Sequence, residues 1–345
     1  MSSSTPIVVG VIFPAKKIAR LQEVLDEEDS DVRFVLIDLE AVTPTGDFDS
    51  EADVEAAAER FAAQYGPLNA LLHKLAHDMV FAKLGDKKAS NRMRLVQHYL
   101  QRHPSLRVVD PIDSVRLLTD RYAACMMLQN MEHKNSGKIQ RFRVPKFHKV
   151  DNFERYERLL KEVDAGLTRL PLICKSVEAC ATDRSHMMSV IAKREDLRYV
   201  EFPTLYQEFI NHSNRLFKGY VIGDTINVAE RRSLPNIVAG SAQQVHFNTQ
   251  QDYPTELDFQ SHVDESAQTN INDGMTQQEI FEAVQAIGSE LRDELELTLF
   301  GFDVIVAEGS MGFYVIDVNY FPSYQELNDF GGMLRKHIKQ LCCRR

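Results

Sequence analysis

The sequence predicts an open α/β domain followed by two α+β subdomains. A chain of 345 residues is longer than one hydrophobic core usually organises. Residues 6–110 alternate short apolar runs with amphipathic stretches, as strands and covering helices do. The later part holds two pairs of extended runs, each joined by a turn-like connection. The expected division is 1–112, 113–212 and 213–340. A hydrophobic share of 44% and a charged share of 26% suit a packed globular protein.

In the first part, strands are expected at Ile7–Phe13, Val32–Leu39, Leu68–Lys74 and Leu106–Val109, with helices at Lys16–Asp29 and Ser50–Tyr65. Ser50 and Asp53 have the spacing of a capping box. After Pro111 one helix is expected over Asp113–Asn130, then a basic segment, Lys134–Lys149, that reads as a solvated strand edge or connector. Phe153, Tyr156, Leu159, Leu160 and Val163 recur at helical spacing within 152–165, and Leu170–Val177 reads as a buried strand carrying Lys175.

Residues 205–234 form two runs about Gly223-Asp224, a connection that tight hairpins prefer. Centring a hairpin there sets Arg231 opposite Leu216 and gathers Lys218, Arg231 and Ser233 on one face. Residues 235–274 are polar and weakly patterned, and read as a surface loop long enough to be functional. A helix near Thr276–Leu295 leads to a second hairpin, Gly301–Ala307 with Phe313–Asn319.

The net charge of -10 argues against a nucleic-acid-binding protein, because counterion release needs a broad basic face. It is compatible with a small polyanion held in a local basic pocket. The apolar run Ile7–Phe13 is too short to span a bilayer, so no membrane association and a cytoplasmic location are expected. Cys125, Cys174, Cys180, Cys342 and Cys343 show no zinc or disulfide spacing, as in a reducing compartment. Cys342 sits where a prenylation signal would place it, but Arg344 and Arg345 do not suit such a signal. Without a heptad seam, a monomer is the default.

Centring the second hairpin on Ser310 brings Asp303 opposite Asp317, with Asn319 on the same face. Two carboxylates placed so close repel unless a cation lies between them, and an all-oxygen set of few protein ligands suits magnesium. Solvated acids beside a turn would read the same way, and the hairpin geometry alone does not choose.

The string Val315-Ile316-Asp317-Val318-Asn319-Tyr320-Phe321-Pro322-Ser323-Tyr324 resembles the closing metal-binding motif of ATP-grasp enzymes, and more closely that of the inositol 1,3,4-trisphosphate 5/6-kinases. His73-Lys74, Asp120-Arg121, Pro171 to Lys175, Ser185-His186-Met187, Gln207 to His212, Phe217-Lys218, Arg231 to Asn236 and Gly301-Phe302-Asp303 match that family in order. The resemblance implies an ATP-grasp fold whose two subdomains clasp ATP, and magnesium-dependent transfer of the γ-phosphoryl group to an inositol polyphosphate hydroxyl. Trisphosphate 5/6-kinase and 3,4,5,6-tetrakisphosphate 1-kinase activities are the types implied.

By the same resemblance, Mg2+, as two ions, would sit on Asp303, Asp317 and Asn319. Arg121 and Lys175 would hold the ATP phosphates, the backbone at Gln207, Glu208 and Phe209 would receive adenine, and Arg231 and Ser233 would complete the nucleotide pocket. The inositol phosphate would meet Lys17, Lys74, His186, Lys218, Asn319 and Ser323, with Lys218, His186 and Asp317 nearest the chemistry. Cations and metal suffice because phosphoryl transfer asks mainly for positioning and charge neutralisation. Taken singly, Lys175 reads equally as a strand-end lysine reaching solvent, Lys17 as a helix-surface residue beside Lys16 and Arg20, and His186 as a satisfied polar residue.

One stretch departs from the family pattern. Ala179-Cys180-Ala181-Thr182 stands where a glycine usually precedes the threonine. Alanine does not readily adopt positive φ, so altered loop geometry or weaker catalysis is expected. Cys180 reads as a thiol that Lys175 and Arg184 could activate. Two rival functions remain at this point: an ATP-grasp carboxylate-amine ligase, and a catalytically impaired inositol phosphate sensor.

Overall fold

The computed structural model describes residues 5–29, 31–43, 48, 50–134, 141–198, 202–240, 243–259, 274–310 and 312–343. Parts of the basic segment and of the 235–274 loop, and both terminal arginines, lie outside the described residues.

The N-terminal sheet is built from β1 (Ile7–Ile12), β2 (Val32–Leu36), β3 (Ala70–His73) and β4 (Arg107–Val109), all parallel, in the order β2-β1-β3-β4. Val9, Val11, Leu71 and Leu72 are wholly buried, as parallel strands covered on both faces require. The covering helices are α1 (Ala15–Asp26), α2 (Leu39–Val42), α3 (Glu51–Tyr65), α4 (Ala76–Lys83) and α5 (Lys87–Arg102). The Ser50–Asp53 capping box is present at the start of α3. The last two helices occupy a stretch to which the sequence reading assigned no element. Lys74 directly follows the carboxyl end of β3 and Lys17 lies in the first turn of α1, the helix after β1, and both line one crevice.

The single helix expected over 113–130 is two: α6 (Ile112–Leu117) and α7 (Arg121–Lys134). Asp120 causes the break, because its carboxylate accepts the N–H groups of Tyr122 and Ala123 and starts a new helix.

The central sheet comprises β5 (Phe147–Val150), β6 (Leu172–Ser176), β7 (Met187–Ile191) and β8 (Thr204–Glu208), with α8 (Phe153–Asp164) packed on one side. Phe153 does not join that helix's buried face. It is 74% exposed and meets Phe202 edge-on. In the basic segment β5 forms an edge strand, as one of the two readings expected, but Lys146 is held by Glu162 at 2.7 Å.

The C-terminal sheet contains β9 (Arg215–Ile222) and β10 (Thr225–Arg232). Next in the chain comes β11 (Val245–Asn248), which pairs with β7 in the central sheet. The stretch 235–274, expected to be a surface loop long enough to be functional, thus contains a strand that the sequence reading did not assign. An open edge on β7 needs a partner, and Val245 and Phe247 supply alternating apolar side chains that the polar surroundings mask. Then α9 (Gln277–Leu295) precedes β12 (Leu299–Val306), β13 (Phe313–Tyr320) and α10 (Phe330–Cys343). The antiparallel order is β10-β9-β12-β13.

Arg231 lies opposite Leu216 and Asp303 opposite Asp317, the pairings expected. The second arises by a route that the sequence did not reveal. Near the turn the pairs are Val306 with Phe313 and Val304 with Val315, a register that would set Asp303 against Ile316. A β-bulge at Ile316 absorbs one residue and returns Asp317 to Asp303.

One hydrophobic core runs through the N- and C-terminal sheets, while smaller clusters lie on the two faces of the central sheet. Polar contacts lock the first sheet to the last. The Asp110 carboxylate accepts the N–H groups of Thr298 and Leu299, each at 2.8 Å, and the Tyr320 hydroxyl donates to the His73 carbonyl at 3.0 Å.

Candidate active site

The three sheets meet around a cavity of about 570 Å³, within the range of small-molecule sites. Lys17 and Lys74 reach it from the first sheet, Lys175 from β6, Lys218 from β9, and Asp303 and Asp317 from β12 and β13. Sheet register sets the polar row. Lys218 pairs with Asp303 and Asp303 with Asp317 across three adjacent strands.

Lys218 Nζ is 2.7 Å from Asp303 Oδ1, and Asn319 Nδ2 donates to Asp317 Oδ2 at 2.9 Å. Two carboxylates and an amide carbonyl fit a hard divalent cation that keeps waters and recruits phosphate oxygens. Among the described residues no group of three His, Cys, Asp or Glu side chains forms an alternative metal cluster.

Lys175 is buried, and its ammonium donates to Gln207 Oε1 at 2.9 Å and to the carbonyl of Ile316 at 3.1 Å. The bulge therefore fixes Asp317 and also supplies an acceptor that orients Lys175. Burial lowers the Lys175 pKa, and Asp317 opposes that shift.

The Glu208 and Phe209 N–H groups bond to the carbonyls of Lys146 and Pro171, and the Glu208 carboxylate accepts the Arg169 N–H. These two N–H groups of the backbone stretch expected to receive adenine are engaged within the protein. Ser233 lies at the wall against His212. With Nδ1–H donated to the Ile210 carbonyl, Nε2 of His212 accepts from the Ser233 hydroxyl at 2.8 Å.

Arg121 reaches the cavity, but its guanidinium is engaged as a brace. It donates to the carbonyls of Ser176, Glu178 and Ser185 at 3.0, 2.8 and 2.9 Å. The loop that it braces contains Ala181, whose φ is 78°. Alanine thus adopts a positive φ that it does not readily take, in a loop that Arg121 holds on either side through Glu178 and Ser185. The activated-thiol expectation for Cys180 fails. Burial pushes its pKa up to about 11, outweighing Lys74 and Arg121.

On the other wall, Lys74 Nζ donates to the Phe321 carbonyl at 2.8 Å and Lys17 Nζ to the Pro322 carbonyl at 2.6 Å. Lys17 also lies 4.0 Å from the centre of the Phe321 ring. Burial, with Lys74 and Arg20 nearby, lowers Lys17 to about 6, and burial lowers Lys74 to about 8. His186 is shifted down by burial and then by Arg121 and Lys16. Such a cluster is short of negative charge, which a polyphosphate would supply.

Arg231 and Ser323 both line the cavity, and Arg231 is ion-paired with Glu326. Glu326 escaped the sequence reading, as did Thr249, Gln250 and Tyr253, which follow β11 and also line the cavity. Phe247 and Tyr253 were the available signal: their rings meet edge-on 5.9 Å apart in a stretch otherwise read as polar.

Residues 136–340 match the family described as the inositol 1,3,4-trisphosphate 5/6-kinase ATP-grasp domain. The chain is 30% identical over 279 residues to inositol-tetrakisphosphate 1-kinase of Danio rerio, spanning 80% of this chain and 68% of that protein. It is 31% identical over 290 residues to inositol-tetrakisphosphate 1-kinase 1 of Zea mays, spanning 81% and 78%. Among solved structures it resembles the RimK domain ATP-grasp protein of Sphaerobacter thermophilus, with a TM-score of 0.53 and 16% identity over 95% of this chain and 98% of that one. The ADP complex of the purK N5-carboxyaminoimidazole ribonucleotide synthetase gives 0.56 and 13%, over 99% and 79%. These structural likenesses establish the fold, which is ATP-grasp.

Proposed function

The chain belongs to the inositol 1,3,4-trisphosphate 5/6-kinase family, and on that premise we propose that it phosphorylates inositol 1,3,4-trisphosphate at the 5- or 6-hydroxyl and inositol 3,4,5,6-tetrakisphosphate at the 1-hydroxyl. It is an inositol polyphosphate kinase that uses ATP. The observation that carries the substrate class is the convergence of Lys17, Lys74, Lys175 and Lys218 on one cavity that also holds Asp303 and Asp317. Apart from Lys175, which serves the nucleotide, Lys17, Lys74, Lys218 and His186 exceed what a single carboxylate acceptor needs, which favours a multiply phosphorylated acceptor over a carboxylate-amine ligase.

Asp303, Asp317 and Asn319 would hold two magnesium ions, and the chemistry supplied there is charge neutralisation at the β- and γ-phosphate oxygens. Lys175, oriented by Gln207 and Ile316, holds the nucleotide phosphates. Ser233 and Arg231 line the nucleotide side. Arg121 acts one layer back, by shaping the 176–185 loop. Lys17, Lys74 and Ser323 receive the acceptor's phosphates, and Lys218 and His186 offset charge beside the reacting hydroxyl. Transfer is in line and needs no dedicated general base. We place the enzyme in the cytoplasm as a monomer, in keeping with five unpaired cysteines.

The test is phosphoryl transfer from labelled ATP and magnesium to a panel of inositol tris-, tetrakis- and hexakisphosphates, with products separated by isomer. Transfer at the named hydroxyls is expected. Labelling only of other isomers would overturn the substrate assignment.

A further inference from the structure

The segment 321–327 leaves β13 through two non-glycine residues with left-handed backbone, Phe321 at φ 45° and Tyr324 at φ 54°. Such conformations persist where the surroundings over-determine them, and they cluster at functional sites. Here the surroundings act from both ends. Lys17 and Lys74 grip the carbonyls of Pro322 and Phe321. At the far end Glu326 closes a ring of three side chains. The Tyr220 hydroxyl donates to Glu326 Oε2 at 2.5 Å, Arg231 Nη2 donates to the Tyr220 oxygen at 2.8 Å, and the Arg231 guanidinium pairs with Glu326 Oε1.

Tyr220 is a rigid anchor. It is wholly buried on β9, and burial lifts its pKa to about 12, so it stays a donor. Its ring also packs 5.7 Å from that of Tyr324, whose hydroxyl donates to the Val221 carbonyl at 2.9 Å.

We propose that Glu326 is a positioning residue of the phosphate-binding site: with Tyr220 it fixes the Arg231 guanidinium at the cavity wall and pins the loop that carries Ser323. The proposal rests on the reading that Arg231 contacts the nucleotide. A planar guanidinium held by two acceptors has lost its rotamer freedom before the ligand arrives, which raises affinity by preorganisation. The Arg231–Glu326 pair is 40% and 32% exposed in its two side chains, so it adds little to folding and its removal leaves the fold intact.

The experiment compares wild type, Glu326→Gln, Arg231→Ala and the double variant by calorimetric affinity for MgATP, by kcat and KM with inositol phosphate, and by melting temperature. Glu326→Gln is expected to weaken MgATP binding about tenfold while moving the melting temperature by less than about 3 °C. The double variant should bind no more weakly than Arg231→Ala. Unchanged or tighter MgATP binding in Glu326→Gln, or losses that multiply in the double variant, would overturn the proposal. Wild type that binds MgATP but phosphorylates no inositol phosphate would sink the kinase reading alone, and the binding cycle would still decide the role of Glu326.

Discussion

Lys218 Nζ lies 2.7 Å from Asp303 Oδ1, so a cation assigned to the acceptor neutralises a carboxylate assigned to the metal. The two assignments are therefore coupled: whatever binds Asp303 releases Lys218, and a cation at Asp303 competes with an internal one.

Lys218→Met removes that competitor. The magnesium concentration for half-maximal rate should fall, while the KM for inositol phosphate rises about tenfold, equivalent to about 1.4 kcal/mol. Magnesium titrations of initial rate check this, and an unchanged midpoint would contradict the coupling.

Asp317→Asn leaves the shape of the site but halves its formal negative charge. The rate should fall by at least about 100-fold. The melting temperature should change little, because relief of the repulsion from Asp303 across the strand pair is offset by loss of the charge that favours the buried Lys175 ammonium. Near-normal turnover at ordinary magnesium would remove Asp317 from the metal site.

Lys17→Met should gain stability at pH 7 by removing a buried amine that is costly to protonate, less what is lost with its bond to the Pro322 carbonyl. The sign with pH follows from its lowered pKa. The unfolded chain keeps a proton on Lys17 up to its ordinary value of 10.5, whereas the folded protein releases it above about 6. Between these limits wild-type stability climbs with pH, so the advantage of the variant shrinks towards pH 10. Urea denaturation at pH 7 and pH 9 reads the difference, and an advantage that grows with pH would refute it. The same lysine should take up about one proton when an inositol phosphate binds wild type at pH 7, visible as a buffer-dependent calorimetric enthalpy.

Ala181→Gly tests the braced loop. Relief of left-handed strain, about 1–2 kcal/mol, is offset by about 0.4–1 kcal/mol of added freedom in the unfolded chain, so stability should hold or rise slightly. Ala181→Val should lose stability and activity together, since a β-branched residue tolerates φ 78° poorly. Equal stability of the two variants would show that the loop does not hold this conformation in solution.

Much of the site was legible because its spacing is local. A two-residue hairpin connection fixes which side chains oppose, so Arg231 against Leu216 follows from Gly223-Asp224 alone. Asp303 against Asp317 was foreseen with the wrong mechanism, since period-two counting cannot see a bulge whose acceptor role towards Lys175 comes from another strand. The helix break at Asp120 was present in the sequence as an N-cap residue, but the apolar periodicity on either side obscured it.

By itself the sequence determined the alternation of strands and helices, the two hairpins, and the lysines and carboxylates that line one cavity. These depend on side-chain period and turn chemistry over a few residues. Only the tertiary structure decided which of those cations stand free and which are engaged. Arg121 braces a loop, Lys17 and Lys74 hold carbonyls nearly 250 residues or more away, and Arg231 answers to Glu326. Such partners are chosen by the packing of three sheets about one cavity, and burial there sets the charge that each lysine carries. No local pattern records a contact between segments so far apart in the chain.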